Sequence, residues 1–151
     1  MRQTRSPLRR FACAACAALP LAALLFAAPA HADDSLYQTF GGQPGLAKII
    51  DDLYDLVLKD PRTASYFDGA PVKRIKQKLG EQLCVLLGGP CTYTGRTMKR
   101  THEGQNIDRA AFDAMVEDLQ TAMDRNGVPF RAQNKLLAKL APMYRDIQDR
   151  E

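Results

Sequence analysis

The sequence has few of the residues from which metal and redox sites are usually built. Its 151 residues include two histidines, four cysteines and no tryptophan. No stretch alternates apolar and polar residues with a period of two, so we expect no β-sheet. The length suits one domain, so we expect no second domain that reduces a cofactor. With 25% charged and 46% hydrophobic residues, the composition is typical of a folded globular protein.

The first 32 residues have the three parts of a secretory signal peptide. Four arginines without an acidic residue precede an apolar stretch from Phe11 to Pro29, and the small-residue sequence Ala30-His31-Ala32 follows. An uncleaved membrane anchor is the alternative, because the apolar stretch is barely long enough to span a bilayer. Two prolines interrupt the stretch and favour cleavage. We therefore predict cleavage after Ala32, a mature domain over residues 33–151, and export to the periplasm or another compartment outside the cytoplasm.

Cleavage after Ala32 would reduce the number of histidines and cysteines in the chain. The mature chain would keep one histidine, His102, and two cysteines, Cys84 and Cys91. A single histidine excludes a multi-histidine metal site, and a Ser-His-Asp site would need that same residue. Removing the four arginines from the 21 basic residues leaves 17 against 17 acidic residues. The high sequence pI therefore does not indicate a nucleic-acid partner.

The mature chain shows helical periodicity interrupted by strong helix breakers. We predict a helical turn over 35–40, a helix from Gln43 to the Asp60-Pro61 stop, one from about Val72 to Gly88-Gly89-Pro90, a short one over 97–103, a long one from an Asp108 cap to Asn126-Gly127, and a last one over roughly 130–148 kinked at Pro142. The third helix is expected to bury Val72, Ile75, Leu79, Leu83 and Leu86 and to expose Lys73, Lys76 and Glu81. The fold class is therefore all-α, with helices that cross at steep angles.

Two polar side chains stand out in this helical framework. Tyr54 falls on the apolar stripe of the second helix, where a buried hydroxyl needs a hydrogen-bond partner. His102 lies on the short helix between two groups of breakers, where a histidine can approach a cofactor iron from one side. Each also has a purely structural interpretation. His102 could be a surface residue near a helix end, and Tyr54 could be a core residue bonded to the backbone.

Several short motifs follow one another in a set order. They are Leu36-Tyr37 with Phe40-Gly41-Gly42, Asp52-Leu53-Tyr54 with Val57-Leu58, Tyr66-Phe67, Leu87-Gly88-Gly89-Pro90, Tyr93-Thr94-Gly95-Arg96-Thr97-Met98-Lys99, and then His102, Gly104, Ile107 and Phe112. Together they resemble the group 1 truncated haemoglobins, the two-over-two globins, over residues 35–148. The resemblance implies a two-over-two helical sandwich around a haem pocket.

The resemblance also implies a role for individual residues. His102 would be the proximal ligand of the haem iron, and Tyr54 would donate a distal hydrogen bond to the bound ligand. Residues that pack on the haem would be Phe67, Ile75, Leu79, Leu83, Met98, Ile107, Phe112, Val116 and Leu137. Lys99, Arg96 and Lys76 are candidates for binding the propionates. The mature chain lacks a Cys-x-x-Cys-His motif, so we expect non-covalent haem b, iron protoporphyrin IX.

The third helix departs from the family pattern. Ile75 and Leu79 are apolar where family members often have a polar residue. Tyr54 is therefore the expected distal donor, unless Gln82 or Lys78 turns into the pocket. Without a second histidine, an internal sixth iron ligand would have to be Tyr54, Lys78 or a methionine.

Three functions are compatible with the sequence. We favour a haem protein that reversibly binds O2, NO and CO, for oxygen binding and transport or for NO handling. The enzymatic alternative is an NO dioxygenase or peroxidase-type activity, which would need an external electron donor. The third is a haem-free helical interaction module. We expect no nucleic-acid partner and no stable membrane insertion after cleavage of the signal peptide.

The two cysteines of the mature chain lie on either side of a glycine- and proline-containing turn. In an oxidising compartment we predict a disulfide between Cys84 and Cys91 that fixes the end of the third helix to the following loop. The alternative is one buried cysteine and one exposed thiol.

Overall fold

The computed structural model describes residues 34–148, and this part of the chain is helical, without a β-strand. The helices are α1 (Asp34–Thr39), α2 (Gly42–Val57), α3 (Val72–Leu86), α4 (Met98–His102), α5 (Arg109–Arg125), α6 (Phe130–Leu140) and α7 (Tyr144–Ile147), with 3-10 helices at Ala64–Phe67 and Ala141–Met143. The predicted signal peptide lies outside the described residues. None of the described helices is long and apolar enough to cross a membrane.

Helix α2 is the centre of the fold and packs against both α3 and α5. Its inward face is apolar because leucine, isoleucine and valine recur at helical spacing. The core that forms around it consists of fully or almost fully buried side chains, among them Leu46, Ile49, Leu53, Val57, Leu83, Leu119, Met123 and Leu136. Burial of each such aliphatic side chain contributes roughly 1.5–3 kcal/mol relative to exposure.

Local polar contacts set the ends of the long helices. The predicted cap of α5 is confirmed, because the Asp108 side chain accepts a 2.8 Å hydrogen bond from the Ala111 backbone N–H. At the other end of α5, the Asn126 amide donates to the Asp52 carboxylate at 2.6 Å. After α2, the Thr63 hydroxyl donates to the Val57 carbonyl at 2.7 Å. The bonds at Ala111 and Val57 satisfy backbone groups that a helix end leaves open.

The last predicted helix is interrupted at Pro142, where the sequence predicts a kink. The expected helix over 130–148 is divided into α6, a 3-10 turn over Ala141–Met143, and α7. Pro142 lies in the turn, and proline lacks the N–H that a continuing α-helix requires while its ring crowds the preceding turn. The expected kink at Pro142 is therefore confirmed, in the form of a 3-10 turn between α6 and α7.

The predicted burial pattern of α3 is wrong in part. Leu83 is buried as expected, but Val72, Ile75, Leu79 and Leu86 are only half-buried because they border the core rather than fill it. Lys76 and Glu81, expected to face water, are half-buried as well. Each has an oppositely charged partner: Lys76 pairs with Asp51 at 2.9 Å and Glu81 with Lys78 at 2.7 Å.

The predicted disulfide between Cys84 and Cys91 is present. It joins the last turn of α3 to the loop before α4, with a Cα–Cα distance of 5.9 Å. Cys84 is fully buried, whereas Cys91 is half-buried. Gly89 fits beside the bridge because a Cβ there would come within 2.6 Å of Cys84 Sγ and 2.7 Å of the Tyr37 ring. The bridge therefore ties the loop that leads to α4 and His102 to the last turn of α3.

Candidate functional site

The imidazole of His102 is held in one tautomer by its own helix. Its Nδ1 lies 2.8 Å from the Met98 carbonyl oxygen, one helical turn earlier. A carbonyl oxygen can only accept, so Nδ1 is the donor, and in the neutral ring Nε2 is left with its lone pair. The ring is half-buried. A neutral imidazole oriented by a backbone carbonyl is the usual form of a histidine that binds a metal.

Helix α4 is short, and its first turn is stabilised by a cap. The Thr97 hydroxyl accepts a bond from the Arg100 backbone N–H at 3.3 Å. The Thr101 hydroxyl donates to the Thr97 carbonyl at 2.9 Å. These bonds fix the helix that carries His102, and α4 packs on α7.

Tyr54 is buried on α2, with 2% of its surface exposed. Its ring meets Phe67 edge-on, with centroids 5.4 Å apart, and the Lys76 ammonium lies 5.5 Å from the ring centroid. Burial raises the pKa of the Tyr54 hydroxyl well above its usual range, so the group stays a donor. Among the described residues, no side chain or backbone group is hydrogen-bonded to this hydroxyl. It is therefore available to a bound molecule, and the backbone-bonded interpretation is not supported.

The other predicted pocket residues come from six regions of the fold and share one property, which is half-burial. They are Phe67, Ile75, Leu79, Met98, Ile107, Phe112, Val116 and Leu137. Leu83 differs because it is fully buried in the core, and Lys99 differs because it is exposed. Four of them, Phe67, Ile75, Leu79 and Leu137, pack against the buried core.

The two alternative polar donors on α3 have other partners. The Gln82 amide nitrogen lies 3.3 Å from Met98 Sδ and 3.4 Å from Met143 Sδ. The Lys78 ammonium donates to Glu81 at 2.7 Å and to the Thr94 hydroxyl at 2.5 Å. Of the three candidate distal donors, Tyr54 is thus the one whose polar group is unengaged.

A polar network fixes the loop between α3 and α4. Besides Lys78, the Glu81 carboxylate accepts from the Thr94 backbone N–H at 2.9 Å and from the Thr94 hydroxyl at 2.8 Å. The hydrogen bond from Lys78, followed by those from Thr94, lowers the pKa of Glu81 to about 2. The Tyr93 hydroxyl donates to the Arg96 carbonyl at 2.6 Å, and its ring covers Gly95 so closely that a Cβ would clash.

Two residues beside the predicted pocket are missing from the sequence-based set. Met143 reaches Gln82 from the turn created by Pro142, and no periodic signal marks it. Tyr144 packs on Phe112 with ring centroids 4.9 Å apart, and it is half-buried like the pocket residues. The apolar face of the last predicted helix includes Tyr144 and is the signal that could have found it.

The three candidates for the propionates lie in different surroundings. Lys76 is half-buried, with its ammonium near the Tyr54 ring and paired with Asp51. Arg96 and Lys99 are exposed. The cation–π contact and the ion pair of Lys76 link α3 to α2, and no local pattern of the sequence predicts them.

The chain matches the family described as "Bacterial-like globin" over residues 35–149. It is 33% identical over 113 residues to the "Group 1 truncated hemoglobin GlbN" of Mycolicibacterium paratuberculosis, a match that covers 75% of this chain and 83% of the relative. The chain therefore belongs to the bacterial-like globins and, within them, to the group 1 truncated haemoglobins.

Solved structures agree with this assignment. The truncated hemoglobin from Tetrahymena pyriformis in its Fe(III) form matches with a TM-score of 0.73 and 26% identity, over 76% of this chain and 98% of that chain. The 2/2 hemoglobin from Synechococcus, solved in the cyanomet state with covalently attached heme, matches in fold with a TM-score of 0.71 at 22% identity, over 76% and 98% of the two chains. The two-over-two globin fold is thus confirmed, and family membership implies haem binding and the binding of diatomic gases such as O2.

The residues present fit a haem. The site offers a histidine whose Nδ1 is bonded to the backbone, several half-buried apolar side chains, and the hydroxyl of a buried tyrosine without a hydrogen bond in the described part of the chain. Within those residues, no group of three or more histidine, cysteine, aspartate or glutamate side chains could hold a bare metal ion. A single histidine donor suits an iron whose other ligands come with the cofactor.

Proposed function

We propose that the chain is a non-covalent haem b protein that reversibly binds O2 and other diatomic gases, with His102 as the proximal ligand and Tyr54 as the distal donor. The observation that carries the proposal is the hydrogen bond between His102 Nδ1 and the Met98 carbonyl, which leaves Nε2 free. When bound, haem would supply an iron with coordination positions for His102 and for a diatomic gas. The chain supplies orientation, exclusion of water and one hydrogen-bond donor.

The role of Tyr54 follows from its burial. A diatomic gas that acquires partial negative charge is stabilised by a nearby O–H donor, more strongly where water is excluded. One such hydrogen bond contributes roughly 1–3 kcal/mol, which corresponds to about a tenfold to hundredfold slower release of the gas. Because Gln82 and Lys78 have other partners, Tyr54 would provide this stabilisation alone.

The proximal role is tested by reconstitution with haemin. We expect the wild-type chain to give a Soret band and the spectrum of a histidine-bound haem. His102→Ala should lose that spectrum while its far-UV circular dichroism stays helical, and the matched control Glu103→Ala, at an exposed neighbour, should behave as wild type. A normal spectrum in His102→Ala would overturn the proximal assignment.

The distal role is tested by the rate of O2 release. Tyr54→Phe keeps the ring that packs on Phe67 but removes the hydroxyl, so release should become about tenfold to hundredfold faster. Tyr66→Phe, at a half-buried tyrosine outside the proposed donor set, is the control and should change release little. Equal release rates in Tyr54→Phe and wild type would contradict the distal assignment.

We also propose that the protein is exported and that its signal peptide is cleaved after Ala32. Two features support this: the basic, apolar and small-residue segments of the N-terminal sequence, and a disulfide of the kind that persists in oxidising compartments. Cell fractionation followed by mass measurement of the intact chain tests it. A chain found in the cytoplasmic fraction with its first 32 residues retained would be the contrary result.

A further inference from the structure

An open cleft lies between the end of α2, the turn that follows it and α5, and has a volume of about 600 Å³. The charged residues that line it are Asp55, Lys59, Asp60, Arg62, Asp118 and Arg125. None of the lining residues belongs to the set proposed to hold the haem. A concave surface of this size is large enough for a small molecule. The cleft is therefore a candidate for a second, separate site.

Asp118 is the buried charged residue of this cleft. Only 9% of its surface is exposed, and its Oδ2 is buried without a hydrogen-bond partner in the described part of the chain. Burial raises the pKa of this carboxyl group, Asp60 acts in the same direction, and the cations Arg62 and Arg125 oppose both. Buried polar atoms in folded proteins nearly always have a partner. A carboxyl group that lacks one, and that lines a cleft, indicates a site where the partner is a ligand.

Arg62 is already engaged within the protein. Its guanidinium lies 2.7 Å from Asp60 Oδ2 and 2.8 Å from Glu117 Oε2. The pair with Glu117 joins the turn after α2 to α5, so side chains link the two walls of the cleft. Arg62 and Asp60 therefore shape the cleft and leave the binding of a ligand to its other charges.

Four charged residues of the cleft form no ion pair with a described residue. They are Asp55 and Asp118, which are acidic, and Lys59 and Arg125, which are basic. Because their formal charges sum to zero, they do not favour a simple anion or a simple cation. Asp118 and Arg125 are seven residues apart on one face of α5, about 10 Å along its axis. Side chains of a helix tilt towards its N-terminus, so the long Arg125 side chain reaches back towards Asp118.

The geometry points to a site in this cleft for a small zwitterion of the α-amino acid class. The ammonium group of the ligand would pair with the Asp118 carboxylate, and its carboxylate would accept from the Arg125 guanidinium. Charge-assisted hydrogen bonds of this kind are roughly twice as strong as neutral ones. Leu56 and Pro61 also line the cleft, so an aliphatic side chain suits the remaining wall. The site does not depend on haem, since it shares no residue with the proposed haem site.

The experiment measures binding of L-leucine to the reconstituted chain by calorimetry and by the rise in Tm that a ligand of the folded state produces. Two further compounds test the need for both charges. Isoamylamine is leucine without its carboxylate, and isocaproate is leucine without its ammonium group. Asp118→Asn and Arg125→Gln each remove one charge from the cleft. Asp113→Asn and Arg131→Gln remove the same charges at exposed positions outside it and are the matched controls.

We expect one molecule of L-leucine to bind per chain and to raise Tm. Asp118→Asn and Arg125→Gln should each weaken binding by about tenfold or more, and the controls should change it by less than about twofold. Both single-charge compounds should bind wild type at least about tenfold more weakly than L-leucine. Because Asp118→Asn removes a buried charge without a partner, the variant should be at least as stable as wild type, and its loss of binding would not reflect unfolding.

Three results would each overturn the proposal. The first is equal binding of L-leucine by wild type and Asp118→Asn. The second is equal binding of L-leucine and either single-charge compound, which would indicate a site for a simple ion. The third is the absence of saturable binding of L-leucine by the wild-type chain.

Discussion

Removing the Cys84–Cys91 disulfide should lower the stability of the fold by a predictable amount. Cys91→Ser is the cleanest change, because position 91 is half-buried and tolerates a hydroxyl, while Cys84 is fully buried and would remain as a small apolar thiol. The substitution breaks the link between α3 and the loop before α4. It leaves the hydrogen bonds of Glu81 to Thr94 in place as a second attachment of the same loop.

The magnitude follows from the size of the closed loop. The two cysteines are seven positions apart, and a loop of this size restricts the unfolded chain only moderately. The chain-entropy relation gives a contribution of about 2.5 kcal/mol at 25 °C. For a domain of this size, that corresponds to a decrease in Tm of roughly 10 °C.

Thermal unfolding followed by circular dichroism, with and without a reductant, measures this contribution. Reduced wild type and Cys91→Ser should have the same Tm, and both should lie below that of the oxidised wild type. Reductant should not affect the variant. A decrease of less than about 0.5 kcal/mol in Cys91→Ser would refute the entropic reasoning, since it would mean that the loop is equally restricted without the bridge.

Three further predictions concern the polar groups and the loop. The pKa of Glu81 is lowered to about 2, so its contribution to stability is present above its ordinary pKa and is lost as the pH falls towards 2. In denaturant titrations, the loss of stability caused by Glu81→Gln should therefore be largest near neutral pH. Burial raises the pKa of Asp118, whose Oδ2 is buried without a partner among the described residues, so ionising this carboxyl group costs stability as the pH rises. By urea denaturation at pH 7, Asp118→Asn should be about 1 kcal/mol more stable than wild type. The exposed control Asp113→Asn should change stability little. Gly95→Ala should lower Tm because its Cβ would collide with the Tyr93 ring, and an unchanged Tm would show that the loop rearranges freely.

Much of the fold could be predicted from the sequence because the long helices have clear periodicity and clear ends. The Asp108 cap, the stop after α3 and the buried position of Tyr54 all follow from local rules of spacing and capping. The disulfide was predictable for a different reason. In an oxidising compartment, two close cysteines have few alternatives for pairing.

The depth of burial could not be predicted in the same way. Periodicity shows that Ile75 and Leu79 are on the apolar face of α3, but it does not distinguish a fully buried core position from a half-buried one at the edge of the core. Partners distant in the sequence are hidden for a similar reason. The bonds from Thr94 to Glu81 span 13 residues and depend on how the loop folds back, which no local pattern encodes.

Helix α3 connects the two sides of the proposed haem site. Its residues Glu81 and Cys84 hold the loop that leads to α4, while Gln82 contacts Met98 in the first turn of α4. The carbonyl of Met98 in turn orients His102. A change on α3 can therefore alter the position of His102 without touching it, because the contacts form one continuous path. Substitutions on this helix should accordingly be judged by the spectrum of the bound haem as well as by gas release, since a distal and a proximal effect would otherwise be confused.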